Sequence, residues 1–209
     1  MRDKRTAEII KRLKKLYPGA KIALNFGSPL EILVATILSA QCTDKQVNKV
    51  TQVLFKKYKT VRDYAKADIK KFELDIKSTG FYRNKAKNII ESAKMIIGKF
   101  DSKVPKTMEE LTTLPGVARK TANIVLGNAY GIVVGIAVDT HVRRLSQRLG
   151  FTKNDEPIKI EQDLMALVPD NDWGIINYLL VEHGRNVCNA RKPDCSHCVL
   201  NDICPKILR

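Results

Sequence analysis

Four cysteines crowd the last 22 residues of the chain, spaced as Cys188-x6-Cys195-x2-Cys198-x5-Cys204. Thiols this close in sequence converge on one compact centre. The chain starts MRDKRTAEIIKR, without the apolar run of a secretion signal, so the set reads as a metal or cluster site more readily than as disulfides. Zinc commonly takes two paired knuckles, and only Cys195 and Cys198 form such a pair. An iron-sulfur cube also takes four thiolates, often from one loop. Spacing alone leaves both open, with redox thiols as a third use. The loop NARKPD between the first two ligands carries Arg191 and Lys192. These are either ordinary solvated charges or, on a loop stiffened by a bound centre, a phosphate contact that loses little entropy on binding.

A second constellation lies in LPGVARKTANIVLGNAYGIVVGIAVDTH, residues 114–141. A helix ends before the tight turn LPGV, and a second begins near Ala118. The turn amides and the free N–H groups of the second helix point at one spot, which suits a phosphate of any base sequence. Lys120 falls in the first turn of that helix, where the macrodipole disfavours a cation. Two explanations fit: a phosphate contact, or a nucleophilic amine activated by cationic neighbours and partial desolvation. Asp139 opens DTHVRRLSQRLG as its N-cap. Backbone N–H bonds favour the ionised form of a carboxylate, so a capping Asp is also suited to stabilising a developing cation.

The rest of the chain must position these groups. Lys and Arg total 37 against 22 acidic residues, a formal +15 spread over several segments. Such an excess favours a polyanionic partner, with simple solubility or a membrane-surface neighbour as the bland alternatives. No apolar run is long enough to span a membrane, which places the chain in the cytoplasm, beside the nucleoid if its partner is DNA. Apolar spacing is helical nearly throughout: Ile9, Leu13, Leu16 and Tyr17; Leu30, Leu33, Val34, Ile37 and Leu38; Val47, Val50, Leu54 and Tyr58. Further stripes follow at 89–100, 122–129, 142–149 and 160–168, and a helix through WGIINYLLVEHG ends near Gly184. Pro and Gly fall between the stripes, with Ser28 and Thr43-Asp44 as candidate N-caps. GIVVGIAV, residues 131–138, has strand composition but no second strand to pair with. It reads as an extended crossing segment.

"LPGVARKTAN", "AVDTHV", the cysteine spacing and "LNFGSPLEILVATILSAQCTD" occur in one order, from about residue 8 to Cys204. Together they resemble the endonuclease III family of helix-hairpin-helix DNA glycosylase/AP lyases. The resemblance implies an all-α fold of two helical lobes flanking a DNA-binding cleft. One is a six-helix barrel over 24–132 with its helix-hairpin-helix at about 111–127; the other joins 1–23 to 133–209. It implies a [4Fe-4S] cluster on Cys188, Cys195, Cys198 and Cys204 in the 188–204 loop, and makes GIVVGIAV the crossover that brings Asp139 opposite Lys120. The partner implied is double-stranded DNA with a damaged base or an abasic site, bound by a monomer.

The implied chemistry starts from a nucleotide flipped out of the duplex. Lys120 matches the family nucleophile that attacks the sugar C1′ and expels an oxidised pyrimidine; Asp139 supports the step. A Schiff base then acidifies C2′, and β-elimination cuts the strand on the 3′ side. Gln41 matches the residue that fills the gap, and Phe81 an apolar wedge position where Leu is more usual; their bland alternatives are a polar helix end and core packing. Leu114, Gly116, Val117 and Ala118 match the hairpin, Arg191 and Lys192 the basic loop, and Asp44 and His141 the border of the lesion pocket. Two departures stand out. Ala118 replaces a second hairpin Gly and is expected to be already helical, since Ala at positive φ would cost about 1 kcal/mol. Cys42 is expected to be a buried thiol outside the cluster. Related readings are a mismatch or other-lesion glycosylase of the same superfamily, which commonly has Ser or Tyr in place of Lys, and a non-catalytic DNA-binding scaffold.

Overall fold

The computed structural model describes residues 4–207. Those residues form eleven α-helices and two 3-10 turns, with no strand. The helices are α1 (Lys4–Leu16), α2 (Pro29–Leu38), α3 (Asp44–Lys57), α4 (Val61–Ala65), α5 (Ile69–Asp75), α6 (Tyr82–Lys99), α7 (Met108–Thr112), α8 (Arg119–Tyr130), α9 (Thr140–Arg148), α10 (Pro157–Leu167) and α11 (Trp173–Asn186). The 3-10 turns are Lys77–Thr79 and Asp170–Asp172. The chain divides into two compact units: Ala23–Val134, and the described parts of Met1–Ile22 with Gly135–Arg209.

In the Ala23–Val134 unit, α2 is the central element. Its sequence PLEILVATIL is apolar on nearly every face, and Ile32 through Leu38 are all buried. A helix of that composition needs partners all round, and α3, α6 and α8 pack against it. Ser28 starts it by accepting the Glu31 N–H, and Pro29 follows with its φ already helical. Thr43 starts α3 in the same way.

α4, α5 and α7, of five to seven residues, escape the periodicity reading because such lengths show one apolar contact per face. Caps and packing hold them instead. Thr60 and Asp63 form a reciprocal capping box on α4, and hydrogen bonds from Thr60 hold the Asp63 carboxyl below the usual carboxylate range. Inside, Tyr64 stacks on Tyr58 at 5.3 Å and Phe72 meets both rings edge-on at 5.2 and 5.9 Å.

In the other unit, Ile9, Ile10 and Leu13 of α1 join Val142, Leu145, Leu164, Ile176 and Leu180 in one apolar core. Arg12 of α1 donates to Asp202 at 2.6 Å and to the Val199 carbonyl at 2.9 Å. α9 and α11 approach closely where Gly184 lies, since a Cβ there would sit 2.9 Å from Arg144 Nη2 and 3.0 Å from His141 Nδ1. α11 runs two residues past Gly184, to Asn186.

GIVVGIAV contains the boundary between the units, at Val134–Gly135. Its apolar residues split: Val133 and Val134 are exposed, whereas Ile136, Ala137 and Val138 are buried. The segment forms no sheet: Gly131 is left-handed at φ 67, residues 134–135 bend, and Ile136 N donates to Glu161 Oε1 at 3.2 Å.

Phe72 is fully buried in the Tyr58–Tyr64 cluster. Phe72→Ala is expected to lower unfolding free energy by ~3–5 kcal/mol, measured by denaturant titration of the full chain. A loss under about 1 kcal/mol would show that the short helices do not depend on this cluster.

Candidate functional site

The turn Leu114–Val117 is rigid for identifiable reasons. Leu114 and Val117 belong to the core, at 2% and 5% exposure. Val117 N donates to Leu114 O at 3.1 Å and Ser92 Oγ donates to Pro115 O at 2.9 Å. Gly116 has φ +79, and a Cβ there would sit 2.8 Å from Asn88 Nδ2. Glycine is required by conformation and by space. Ala118, expected to be helical, is the N-cap of α8 in extended backbone, φ −87 and ψ 170. Its φ is negative, so an alanine is accommodated without strain.

Side-chain caps close α2, α3, α4, α5 and α7, whereas α6 and α8 have none. No side chain caps the start of α8, and a helix start of this kind attracts phosphate. Lys120 is the second residue of α8 and is exposed, contrary to the partial desolvation expected for it. In the free protein its surroundings are water.

Gln41 and Phe81 share a conformation. Both are left-handed, at φ 52 and 46, and both are exposed, Phe81 to 63%. An exposed aromatic held at positive φ is not core packing, and non-glycine residues at such φ mark positions held by their surroundings. Close to both in sequence lie the acceptors of Lys85, only 4% exposed, whose ammonium donates to Leu38 O and Thr79 O, both at 2.8 Å. Lys85, Asn88 and Ser92 recur at helical spacing on one side of α6, touching the Gln41 and Phe81 segments and the hairpin turn. Sequence reasoning missed all three. The available signal was a cation continuing the apolar stripe of Ile89, Ala93 and Ile96. Asp44, half-buried, begins α3 just after the Gln41 segment, and Cys42 is half-buried where a buried thiol was expected.

In the other unit, Asp139 caps α9 by accepting the Val142 N–H at 2.8 Å. His141, in the next turn, has its Nδ1 3.2 Å from Arg144 Nη2, which also donates to Gly184 O and Cys188 O.

Cys188, Cys195, Cys198 and Cys204 are free thiols lining one cavity together with Leu145, Leu149 and Leu200. Arg148 Nη1 lies 3.4 Å from Cys188 Sγ, and the Leu200 and Lys206 N–H groups donate to Cys198 and Cys204 Sγ, each at 3.4 Å. Arg148 also braces the loop through Asn189 O and Ala190 O, both at 2.7 Å. Burial, and after it the neighbouring cysteines, pushes the Cys198 and Cys204 thiols above their ordinary range, against the N–H donors. Among the described residues no three His, Cys, Asp or Glu side chains close on the position of a single ion. The four thiols line one common cavity, a donor set that could hold a thiolate-bound metal group. Arg191 and Lys192 are exposed on the loop between Cys188 and Cys195.

The sequence pattern described as "HhH-GPD superfamily base excision DNA repair protein" matches residues 34–170. Endonuclease III of Synechocystis is 55% identical over 204 residues, spanning 98% of this chain and 93% of that protein. Endonuclease III of Bacillus subtilis is 46% identical over 92% of this chain and 88% of its own length. Among solved structures, a trapped endonuclease III–DNA covalent intermediate is 43% identical and superposes with a TM-score of 0.91, covering 96% of each chain. A thermostable thymine-DNA glycosylase, at 24% identity and TM-score 0.87 over 97% of this chain and 96% of its own, shares the fold.

Gly116→Ala should weaken binding to any duplex by roughly tenfold, the factor that ~1.4 kcal/mol represents. Fluorescence anisotropy on undamaged duplexes of several sequences measures this. Unchanged affinity would remove the hairpin from the interface, and a sequence-dependent loss would contradict a phosphate-only contact.

Proposed function

The chain belongs to the HhH-GPD superfamily and, within it, to the endonuclease III family of base-excision DNA glycosylase/AP lyases, and from that premise we propose how its residues act on damaged DNA. The substrate is duplex DNA bearing an oxidised pyrimidine or an abasic site. Counterion release on a strongly basic surface supplies sequence-independent affinity. The hairpin amides hold a backbone phosphate, the damaged nucleotide leaves the stack, Gln41 occupies the gap and Phe81 separates base steps. Asp44 and His141 border the pocket that receives the base.

Lys120 Nζ then forms a bond to C1′ as the N-glycosidic bond breaks and the base leaves with a proton. Loss of a second amine proton and ring opening give the Schiff base, C2′ loses a proton, and the 3′ phosphate departs by β-elimination. Asp139 stabilises the sugar cation as it develops. An exposed Lys at the second position of an uncapped helix, behind a rigid Pro-Gly turn, is the observation that carries this reading. The DNA-bound neighbour trapped as a covalent intermediate supports a covalent mechanism. Exposure of Lys120 in the free protein assigns its desolvation to bound DNA.

The four thiols would hold a [4Fe-4S] cluster. When bound, that group cross-links the loop and keeps Arg191 and Lys192 in place as phosphate contacts. Arg148 and the Leu200 and Lys206 amides direct positive charge at the sulfurs, which favours thiolates. The protein acts as a monomer on DNA in the cytoplasm.

Borohydride should trap a covalent adduct with an abasic-site duplex, and Lys120→Gln should abolish it; wild type loaded with iron and giving no adduct would sink the lyase mechanism. Asp139→Asn is expected to lower single-turnover base release by at least ~100-fold with less than about a threefold change in DNA affinity. Equal losses in both would reduce Asp139 to its cap. Purified protein should be yellow-brown and hold about four iron atoms per chain, and Cys198→Ser should lose both colour and iron. A colourless, zinc-loaded protein would overturn the cluster assignment.

A further inference from the structure

Lys85 is a buried cation that the chemistry above does not use. Moving an ammonium into a protein interior costs several kcal/mol unless its donors are satisfied, and burial pulls the Lys85 pKa below the ordinary lysine value, with Cys42 opposing the shift. Its acceptors are two main-chain carbonyls, those of Leu38 and Thr79. Leu38 ends α2 and Thr79 ends the 3-10 turn. Each is a helix terminus with carbonyls lacking internal partners, where a cation is favoured.

The position of these carbonyls in the chain gives the contact its meaning. Gln41 follows Leu38 by three residues and Phe81 follows Thr79 by two. Both lie at positive φ, a conformation strained for a residue with a Cβ that persists only where neighbours over-determine it. A second tie joins the same two segments on their outer side: Gln46 Nε2, in the first turn of α3, donates to Ser78 Oγ at 2.7 Å. A methionine at 85 would fill similar space but leave both carbonyls without their donor.

We propose that Lys85 is a positioning residue of nucleotide extrusion: one ammonium on both carbonyls locks the Gln41 and Phe81 segments together, so that the two side chains enter the duplex as a unit. The proposal rests on the assignment of Gln41 and Phe81 as duplex-entering residues. Extrusion needs the gap filled while the step is wedged open, and preorganising both loops removes the ordering cost of bringing them together.

The test uses the full-length, iron-loaded protein and a duplex carrying a tetrahydrofuran abasic analogue, which cannot be cleaved, beside 2-aminopurine, whose fluorescence reports unstacking. Lys85→Met is expected to lower the extruded population about tenfold and to change affinity for undamaged duplex less than about twofold. In wild type, Gln41→Ala and Phe81→Ala should be non-additive, the double variant losing little more than either alone. In the Lys85→Met background their effects should multiply independently. A folded Lys85→Met with normal extrusion, shown by an unchanged Tm, overturns the proposal. If that variant does not fold, the cycle in wild type decides alone, and additivity there overturns it. Single variants at Gln41 and Phe81 that leave extrusion unchanged would end the assignment beneath the proposal; additive single effects would end only the coupling.

Discussion

One side of α6 ties together the loops that precede and follow it in its unit. Lys85, Asn88 and Ser92 are polar groups on a helix whose remaining inner positions are apolar; Lys85 and Ser92 donate to carbonyls outside the helix, and Asn88 lies against the Gly116 turn. Burying them has a cost that only well-formed hydrogen bonds offset. That requirement makes them specific: an apolar contact tolerates sliding, whereas an ammonium between two carbonyls at 2.8 Å tolerates little. The Gln41 segment, the Phe81 segment and the Pro-Gly turn thus take their places from a single rigid helix.

The same unit separates finished helix ends from unfinished ones. Five helices begin with Ser, Thr or Asp accepting their own amides, while α6 and α8 begin with Phe81 and Ala118 and have no such acceptor. An uncapped start costs stability and leaves N–H groups to be satisfied from outside. Lys120 stands in the first turn of one such helix, and Phe81 is the N-cap of the other.

In the other unit, polar contacts converge on the thiol loop. Arg144 and Arg148, one helical turn apart on α9, donate to the carbonyls of Gly184, Cys188, Asn189 and Ala190. The loop has no regular structure of its own, so two guanidiniums supply the donors to its carbonyls that helix N–H groups would otherwise provide. Gly184 allows α9 and α11 to come close enough for this.

Much of this was legible in the chain because it depends on local chemistry. Helical periodicity, the caps Ser28, Thr43 and Asp139, the Pro-Gly turn before Lys120 and the four clustered cysteines are properties of neighbours in sequence. The short helices α4, α5 and α7 were not legible, since five to seven residues held by capping and aromatic packing show no period. Ala118 misled because ruling out positive φ pointed to helix, whereas the turn makes it an extended cap at φ −87. Lys85 was the furthest from view: its type suggests solvent, and its acceptors stand 47 and 6 residues away in sequence. The sequence by itself determined which residues are candidates for the chemistry, because residue type and spacing are local. Only the tertiary structure decided which backbone each of them is tied to, because a buried cation chooses its partners by folding proximity and not by position along the chain.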